Sequence, residues 1–438
     1  MATDRYIAAL EISSSKVIGA IGVMGRSGQL EILAVERERS LDSVRYGLIQ
    51  NAEETSVLIN RVIERLERRP NIAPREITAV YAGLSGRSLR SIEKEVSLSL
   101  PDDSEITPDI ISRLRKKALE AEIDNSLEVV DAVPRIFTVG RTETHRPMGM
   151  MGNNITAIYD IIVARPAMQN NLRRVVRDKL DFDINLKKIV ITPLATAEIV
   201  LNEHEKKLGC MLVDIGAETT SVTIYTRGNL VYYATLPLGG RNITLDLKAL
   251  NVIEDKAEDL KVTFGNALAP ATPSQEMVGP HKLSQISNYV VARAEEIVAN
   301  IVEQIRYAHL TEKDIPEGIV ICGGGARLNG IAELIEKFSG LKVRMATLPP
   351  TIRLSDPSAQ GMECLQVAAI MYEGAKVADE DCLRLPAAPE PEPEQPVEEP
   401  KQPEEPKREP KKKKRPFWET ISKFFTPLGD DDDGEELI

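Results

Sequence analysis

Residues 210–228 read CMLVDIGAETTSVTIYTRG: an apolar run closing on Asp214, a turn of small residues, then a second run in which apolar and polar residues alternate. Period-two alternation on both sides of a Gly/Ala/Thr turn marks a β-hairpin. Far upstream, residues 6–23 read YIAALEISSSKVIGAIGV and repeat the pattern, with Glu11-Ile12-Ser13 aligning on Asp214-Ile215-Gly216. Two copies of one supersecondary unit so widely separated imply two similar lobes facing each other. Helical spacing over 52–67 and 108–121, interspersed with strand-like runs at 77–85 and 188–195, puts the chain in the α/β class. After the second hairpin come three helical candidates, 241–250, 252–263 and 284–310. EGIVICGGGARLNGIAELIEKF (317–338) then reads as a strand, a glycine turn and a helix.

Turns of small residues let a backbone approach a phosphate closely, because no side chain holds it away. The amides of Ser13, Ser14, Ser15 and Lys16, and those of Gly216, Ala217, Glu218, Thr219 and Thr220, are candidate phosphate donors, with the hydroxyls and the Lys16 ammonium adding to them. Glu11 and Asp214 end the first strand of each hairpin. An acid beside a phosphate needs a cation and its water shell between them, so Mg²⁺ is expected there. Cys322-Gly323-Gly324-Gly325-Ala326 supplies a third element, a glycine turn opening a helix, which is a nucleotide-contacting device.

Composition limits the alternatives. The chain has 438 residues, 42% of them hydrophobic, and a net charge of -12, which allows several cores. No apolar stretch approaches the ~20 residues a spanning helix needs, and the start lacks a basic-then-apolar signal segment, so a cytosolic protein is expected. No basic stripe runs through the body, which sets nucleic-acid binding aside. Cys210, Cys322, Cys364 and Cys382 are scattered and read as free thiols. His145, His204, His281 and His309 form no ligand spacing.

From 385 to 410 the sequence is mostly proline and glutamate and is read as a disordered, extended linker. Beyond it, Lys411, Lys412, Lys413, Lys414 and Arg415 precede Phe417, Trp418, Ile421, Phe424, Phe425 and Leu428, which share one helical stripe. An aromatic stripe with a basic flank is the pattern of an amphipathic helix lying on an anionic membrane. The acidic run Asp430–Asp433 after it is expected either to weaken that contact or to serve a partner.

The set and order of these elements resemble the actin/Hsp70/sugar-kinase superfamily and, within it, the bacterial cell-division family FtsA, over about residues 5–376. GLSGRSLRS (83–91), EITPDIISRLRKKA (105–118) and RPMGMMGNNITAIYDIIVA (146–164) are similar to that family's extra subdomain, and LGGRNITLDLK (238–248) to its GG-x-x-IT-x-D element. The resemblance implies an actin-like fold of two ribonuclease-H-like lobes. The first lobe would occupy 1–82 and 166–205, the extra subdomain 83–165, and the second lobe 206–384 with an outer subdomain at about 241–312. The linker (385–410) and the helix with its acidic tail (411–438) would follow.

It also implies ATP and Mg²⁺ as cofactors, with Gly239 and Gly240 near the phosphates and Glu258, Lys261, Gly323, Gly324, Gly325 and Ala326 around the adenosine. Implied partners are the C-terminal peptide of the tubulin-like protein FtsZ, anionic lipid, further copies of the chain in filaments, and later division proteins. The place would be the cytoplasmic face of the inner membrane at the division site. Arg293 and Arg306 are candidate carboxylate partners for the FtsZ peptide, or else pair with Glu295, Glu296 and Glu303 along their own helix.

Two departures from the family pattern bear on chemistry. Ser13 replaces a glycine, which is expected to loosen the first turn if positive φ is required there. Thr192 stands where relatives carry a water-orienting Glu or Gln, which predicts at most slow ATP hydrolysis. A peptide-binding adaptor similar to the pilus-assembly protein PilM, and a small-molecule kinase of the same superfamily, are the alternatives. Neither of those has use for the C-terminal stripe.

Overall fold

The computed structural model describes residues 5–386, apart from positions 41, 179, 271, 273, 360, 378 and 379 and the side chains at 102 and 103. The chain opens with β1 (Arg5–Ile12), β2 (Lys16–Met24) and β3 (Leu30–Arg39), followed by α1 (Ala52–Glu67), β4 (Ala79–Leu84), β5 (Arg90–Glu105) and α2 (Pro108–Leu119). Next come β6 (Glu128–Val139), β7 (Thr142–Thr144), β8 (Met151–Ala164), α3 (Pro166–Asp178), β9 (Asn185–Ile191) and α4 (Thr192–Val200). The second hairpin is β10 (Cys210–Ile215) with β11 (Thr220–Thr226), joined by β12 (Asn229–Leu236). After it run α5 (Gly240–Leu247), α6 (Glu254–Phe264), α7 (Leu283–Tyr307), β13 (Ile319–Cys322), α8 (Ile331–Ser339), β14 (Val343–Met345), β15 (Ile352–Leu354) and α9 (Leu365–Val377).

Two sheets organise the body. One has the order β9-β4-β1-β2-β3-β15, the other β7-β6-β8-β5-β12-β11-β10-β13-β14. The hairpin strands pair antiparallel in each, and each first strand pairs parallel with a distant one, β1 with β4 and β10 with β13. A sheet covered on both faces needs apolar residues on both, and β1 and β2 are buried along most of their length. Their two covers are close. A Cβ on Gly19 would meet Val62 of α1 at 2.5 Å, and one on Gly22 would meet Met371 of α9 at 2.7 Å. Glycine at these two positions lets helices settle on opposite faces of β2.

Three buried clusters follow this layout: one around β1–β4, α1, α4 and α9, a second beneath α5–α8, and a third between α2 and the strands β5, β6 and β8. The third belongs to an insert carried in sequence between β4 and β9 of the first lobe. Its edge strand β5 nevertheless joins the second lobe's sheet through Arg90 opposite Ala234 of β12. Tyr233 donates its amide to Ser91 Oγ at 2.9 Å, and Arg135 donates to the Val231 carbonyl at 3.0 Å while forking Asp160, which is 1% exposed.

The expected helices lie close to where periodicity puts them. The segment 188–195, read as a strand, instead ends its strand at Ile191 and turns helical at Thr192-Pro193. Proline withholds an amide from the ladder yet suits a helix's first turn. The glycine turn likewise does not open an α-helix directly: a short 3₁₀ turn, Gly325–Arg327, intervenes and α8 begins at Ile331. Among the described residues no helix is long and apolar enough to cross a membrane. The four cysteines are buried and form no disulfide.

Candidate functional site

The two hairpin turns have the same construction. Register leaves Ser13–Lys16 between Ile12 and Val17, and Gly216–Thr219 between Ile215 and Thr220. In the first, the Ser13 amide donates to the Lys16 carbonyl at 2.9 Å; in the second, the Gly216 amide donates to the Thr219 carbonyl at 2.8 Å. Neither Ser13 nor Gly216 has a positive φ. Serine is therefore unstrained in the first turn, contrary to the sequence expectation, and its hydroxyl adds a second bond to the Lys16 carbonyl at 2.9 Å. Glycine at 216 is needed for room, since a Cβ there would meet the Thr219 carbonyl at 2.8 Å.

Both turns line one cleft of about 1250 Å³, together with Glu11, Asp214, Gly323–Gly325, Glu258 and Lys261. That exceeds the ~300–1,000 Å³ usual for a small-molecule site. Both acids line it, Glu11 buried and Asp214 half-buried. Asp214 accepts from Gln366 Nε2 at 3.0 Å and from the Cys322 thiol, whereas Glu11 Oε2 has no hydrogen-bond partner. Burial pushes the Glu11 carboxyl up to about 7, with Lys16 opposing and the Asp214 charge reinforcing the rise. Burial also raises Asp214, against its bond to Gln366. Two desolvated acids, one with an orphaned oxygen, are the donor set a hard divalent cation accepts. With only two carboxylates at hand, such an ion would keep several waters and lean on its ligand's phosphates.

Beside the second turn the cleft lining forms a polar knot. Lys261 Nζ donates to Gly240 O at 3.1 Å, Thr244 Oγ1 at 2.9 Å and Glu258 Oε2 at 2.7 Å, and the Thr244 hydroxyl also donates to Glu258. Gly323 has φ +86°, and a Cβ on it would strike Asp214 Oδ1 at 2.3 Å. Only glycine fits, and the bare backbone faces the cleft.

Two matching family models report the chain's kinship: "Cell division protein FtsA" over residues 211–361 and "SHS2 domain inserted in FTSA" over 86–163. The cell division protein FtsA of Neisseria meningitidis serogroup B is 30% identical over 366 residues, covering 81% of this chain and 86% of that protein. The chain belongs to the FtsA family. It is thus an actin-like protein of cell division, and its insert is the FtsA-type SHS2 domain. The FtsA of Porphyromonas gingivalis is 28% identical over 357 residues, 78% of this chain and 73% of that protein. Among solved structures, the PilM-PilN type IV pilus biogenesis complex aligns with TM-score 0.61 at 16% identity, over 84% of this chain and 97% of that one. That likeness concerns the fold alone.

Within this FtsA cleft several sequence candidates have other employment. The amides of Gly239, Gly240 and Arg241 donate to Asn242 Oδ1, Gly216 O and Ala217 O, so Gly240 and Arg241 brace the second turn while Gly239 caps its own helix. Thr220 is fully buried and its hydroxyl donates to Leu238 O at 2.8 Å. Ala326 is buried behind the glycines. Thr192 is 2% exposed, and its unpartnered hydroxyl lies 2.5 Å from where a Cβ on Gly83 would sit. It does not line the cleft, although Pro193 does. A glutamate at 192 would be driven into the core, not toward a water.

Arg293 forks Asp246 at 2.6 and 3.1 Å and also pairs with Glu296; Arg306 donates to Glu303 at 2.6 Å. Both arginines proposed for a partner's carboxylate are therefore engaged internally. The linker and Lys411–Arg415 with the stripe Phe417–Leu428 lie outside the described residues.

Sequence reasoning missed Arg37, Arg45, Arg241, Arg327, Glu363 and Gln366. Glu363 accepts from Arg327 at 2.9 Å and from Arg37, and its carbonyl lies 3.4 Å from Lys16 Nζ. These contacts join residues remote in sequence, and no local pattern announces them.

Proposed function

We propose that the cleft binds Mg·ATP and that the protein is an actin-like division scaffold, polymerising on the inner membrane and anchoring FtsZ filaments there. The observation carrying the nucleotide reading is that two turns closed by the same backbone hydrogen bond converge on one cleft with the buried Glu11, the half-buried Asp214 and a bare glycine backbone. The free donors of Ser13–Lys16 and Gly216–Thr219 would hold phosphate oxygens. Glu11 and Asp214 would hold Mg²⁺, which supplies charge neutralisation between acids and phosphates. Glu258 and Lys261 would face the ribose and base, with Gly323–Gly325 beneath.

Drawing both turns onto one ligand favours the closed arrangement of the lobes, a population shift that neighbouring subunits can read. At most slow ATP hydrolysis is part of this reading. The partition into lobe halves at 1–82, 166–205 and 206–384 around the insert 83–165 belongs to the same reading, as does anchoring of the membrane contact in 411–438. Later division proteins are expected to join through the insert or the outer subdomain.

Co-sedimentation with anionic vesicles and FtsZ, with and without Mg·ATP, tests it. The full chain should pellet and carry FtsZ; a chain ending at 410 should bind Mg·ATP but stay in the supernatant. Turnover near the ~10 s⁻¹ of an ordinary enzyme would defeat the scaffold reading in favour of a kinase.

A further inference from the structure

Glu218 sits in a turn whose neighbours are read as phosphate donors, where a carboxylate would repel the ligand. Its side chain does not face that way. It is 3% exposed and crosses to the first lobe. There Oε1 accepts from Arg45 Nε at 2.7 Å and Oε2 from the Tyr46 amide at 2.6 Å. Arg241, on its own lobe, donates to Oε1 at 3.2 Å and reaches Asp42 of the first lobe at 3.1 Å, while also donating to Glu254 at 2.7 Å. Tyr46 is held for this task in the left-handed region at φ 51°, and Arg45 and Arg87 lie over its ring at 5.7 and 5.2 Å. The Gly47 amide donates to Ser14 Oγ at 3.0 Å, tying the same loop to the first turn.

We propose that Glu218 is a clasp between the lobes, closing the phosphate end of the cleft whether or not ligand is inside and setting the rate at which nucleotide leaves. The proposal rests on the nucleotide reading of the cleft. The physical case is the kind of bond involved. Charge-assisted hydrogen bonds shielded from water are stronger than neutral ones, and one carboxylate here gathers three donors from two lobes. By contrast, the neighbouring interlobe pair, Arg39 with Asp255 at 3.1 Å, is largely exposed on both sides and contributes little. Opening the cleft must break the buried set. The clasp also explains how the turn tolerates an acid: Arg45 and Arg241 neutralise it and aim it away from the ligand.

The test uses the full chain with Glu218→Gln, which keeps shape and removes charge, and with Arg45→Gln, which attacks the clasp from the half-exposed side. Two readouts are needed. Hydrogen exchange of the Tyr46 amide, without nucleotide, reports the clasp itself. Release of a fluorescent ATP analogue, chased with excess ATP, reports gating. Both variants should exchange Tyr46 faster and release the analogue about tenfold faster, the scale of one lost charge-assisted bond. Unchanged Tyr46 exchange in both would overturn the clasp. Faster exchange with release within twofold of wild type would overturn the gate. Failure of the wild type to bind the analogue would defeat the nucleotide reading and the gate together, while the exchange arm would still decide whether Glu218 clasps.

Discussion

The turns at 13–16 and 216–219 share register and the same closing hydrogen bond, yet their acids are treated differently. Asp214, half-buried, is fixed by Gln366 and Cys322; Glu11, one methylene longer, is more deeply buried yet keeps an unpartnered oxygen. The second turn offers one hydroxyl, Thr219, and sends its one charged side chain across the cleft, whereas the first is built of three serines and Lys16. The copies thus preserve backbone geometry and divide the chemistry. One acid is preset by its hydrogen bonds and the other is adjustable.

Replacing the preset acid breaks that division most severely. Asp214→Ala should lower Mg²⁺-dependent affinity for ATP roughly hundredfold, against about tenfold for Glu11→Ala, the scale of one or two charged contacts. Titration of a fluorescent nucleotide with and without Mg²⁺ decides it, and equal losses would erase the distinction. Next in size, Gly216→Ala should destabilise the protein by about 2 kcal/mol through the clash with Thr219 O, measured by urea unfolding.

A smaller effect is expected from pH. Glu11 is raised from 4.5 to about 7 by burial, so the folded state holds that proton more tightly than the unfolded one. This contribution to stability is fully present below about 4.5 and is lost as pH climbs through about 7. In Mg²⁺-free buffer the melting temperature should therefore fall between pH 5 and 8, and Glu11→Gln should flatten that fall by a few degrees. Smallest of all, Ser13→Gly should cost under ~1 kcal/mol, because no positive φ is relieved and only one hydroxyl bond is lost. A larger loss would show that the first turn depends on its side chains more than the second does.

The fold was legible because its signals are local. Asp214-Ile215-Gly216 and Glu11-Ile12-Ser13 announce their hairpins within a few residues, and Cys322–Ala326 announces its turn. The site was legible only in outline. Position 192 is adjacent to a cleft residue, but whether its side chain points into the cleft depends on how β9 hands over to α4 against Gly83. Ser13's conformation depends on the carbonyl it caps. Arg45, Arg241 and Gln366 acquire roles only when lobes distant in sequence meet, and no periodicity encodes such a meeting.

The seam between β5 and β12 makes the SHS2 insert a mechanical junction. By covalent connection the insert hangs from the first lobe, at Leu84 and at Ala164. By hydrogen bonds through Ser91, Arg90 and Arg135 it is stitched to the second. A pull on its far tip, around Gly149, therefore divides. Part runs along β8 into the first lobe's backbone, and part shears sideways into β12, whose neighbour β11 begins at the Gly216–Thr219 turn. Tension at the tip is thus handed to the strand paired with the one that leaves the cleft.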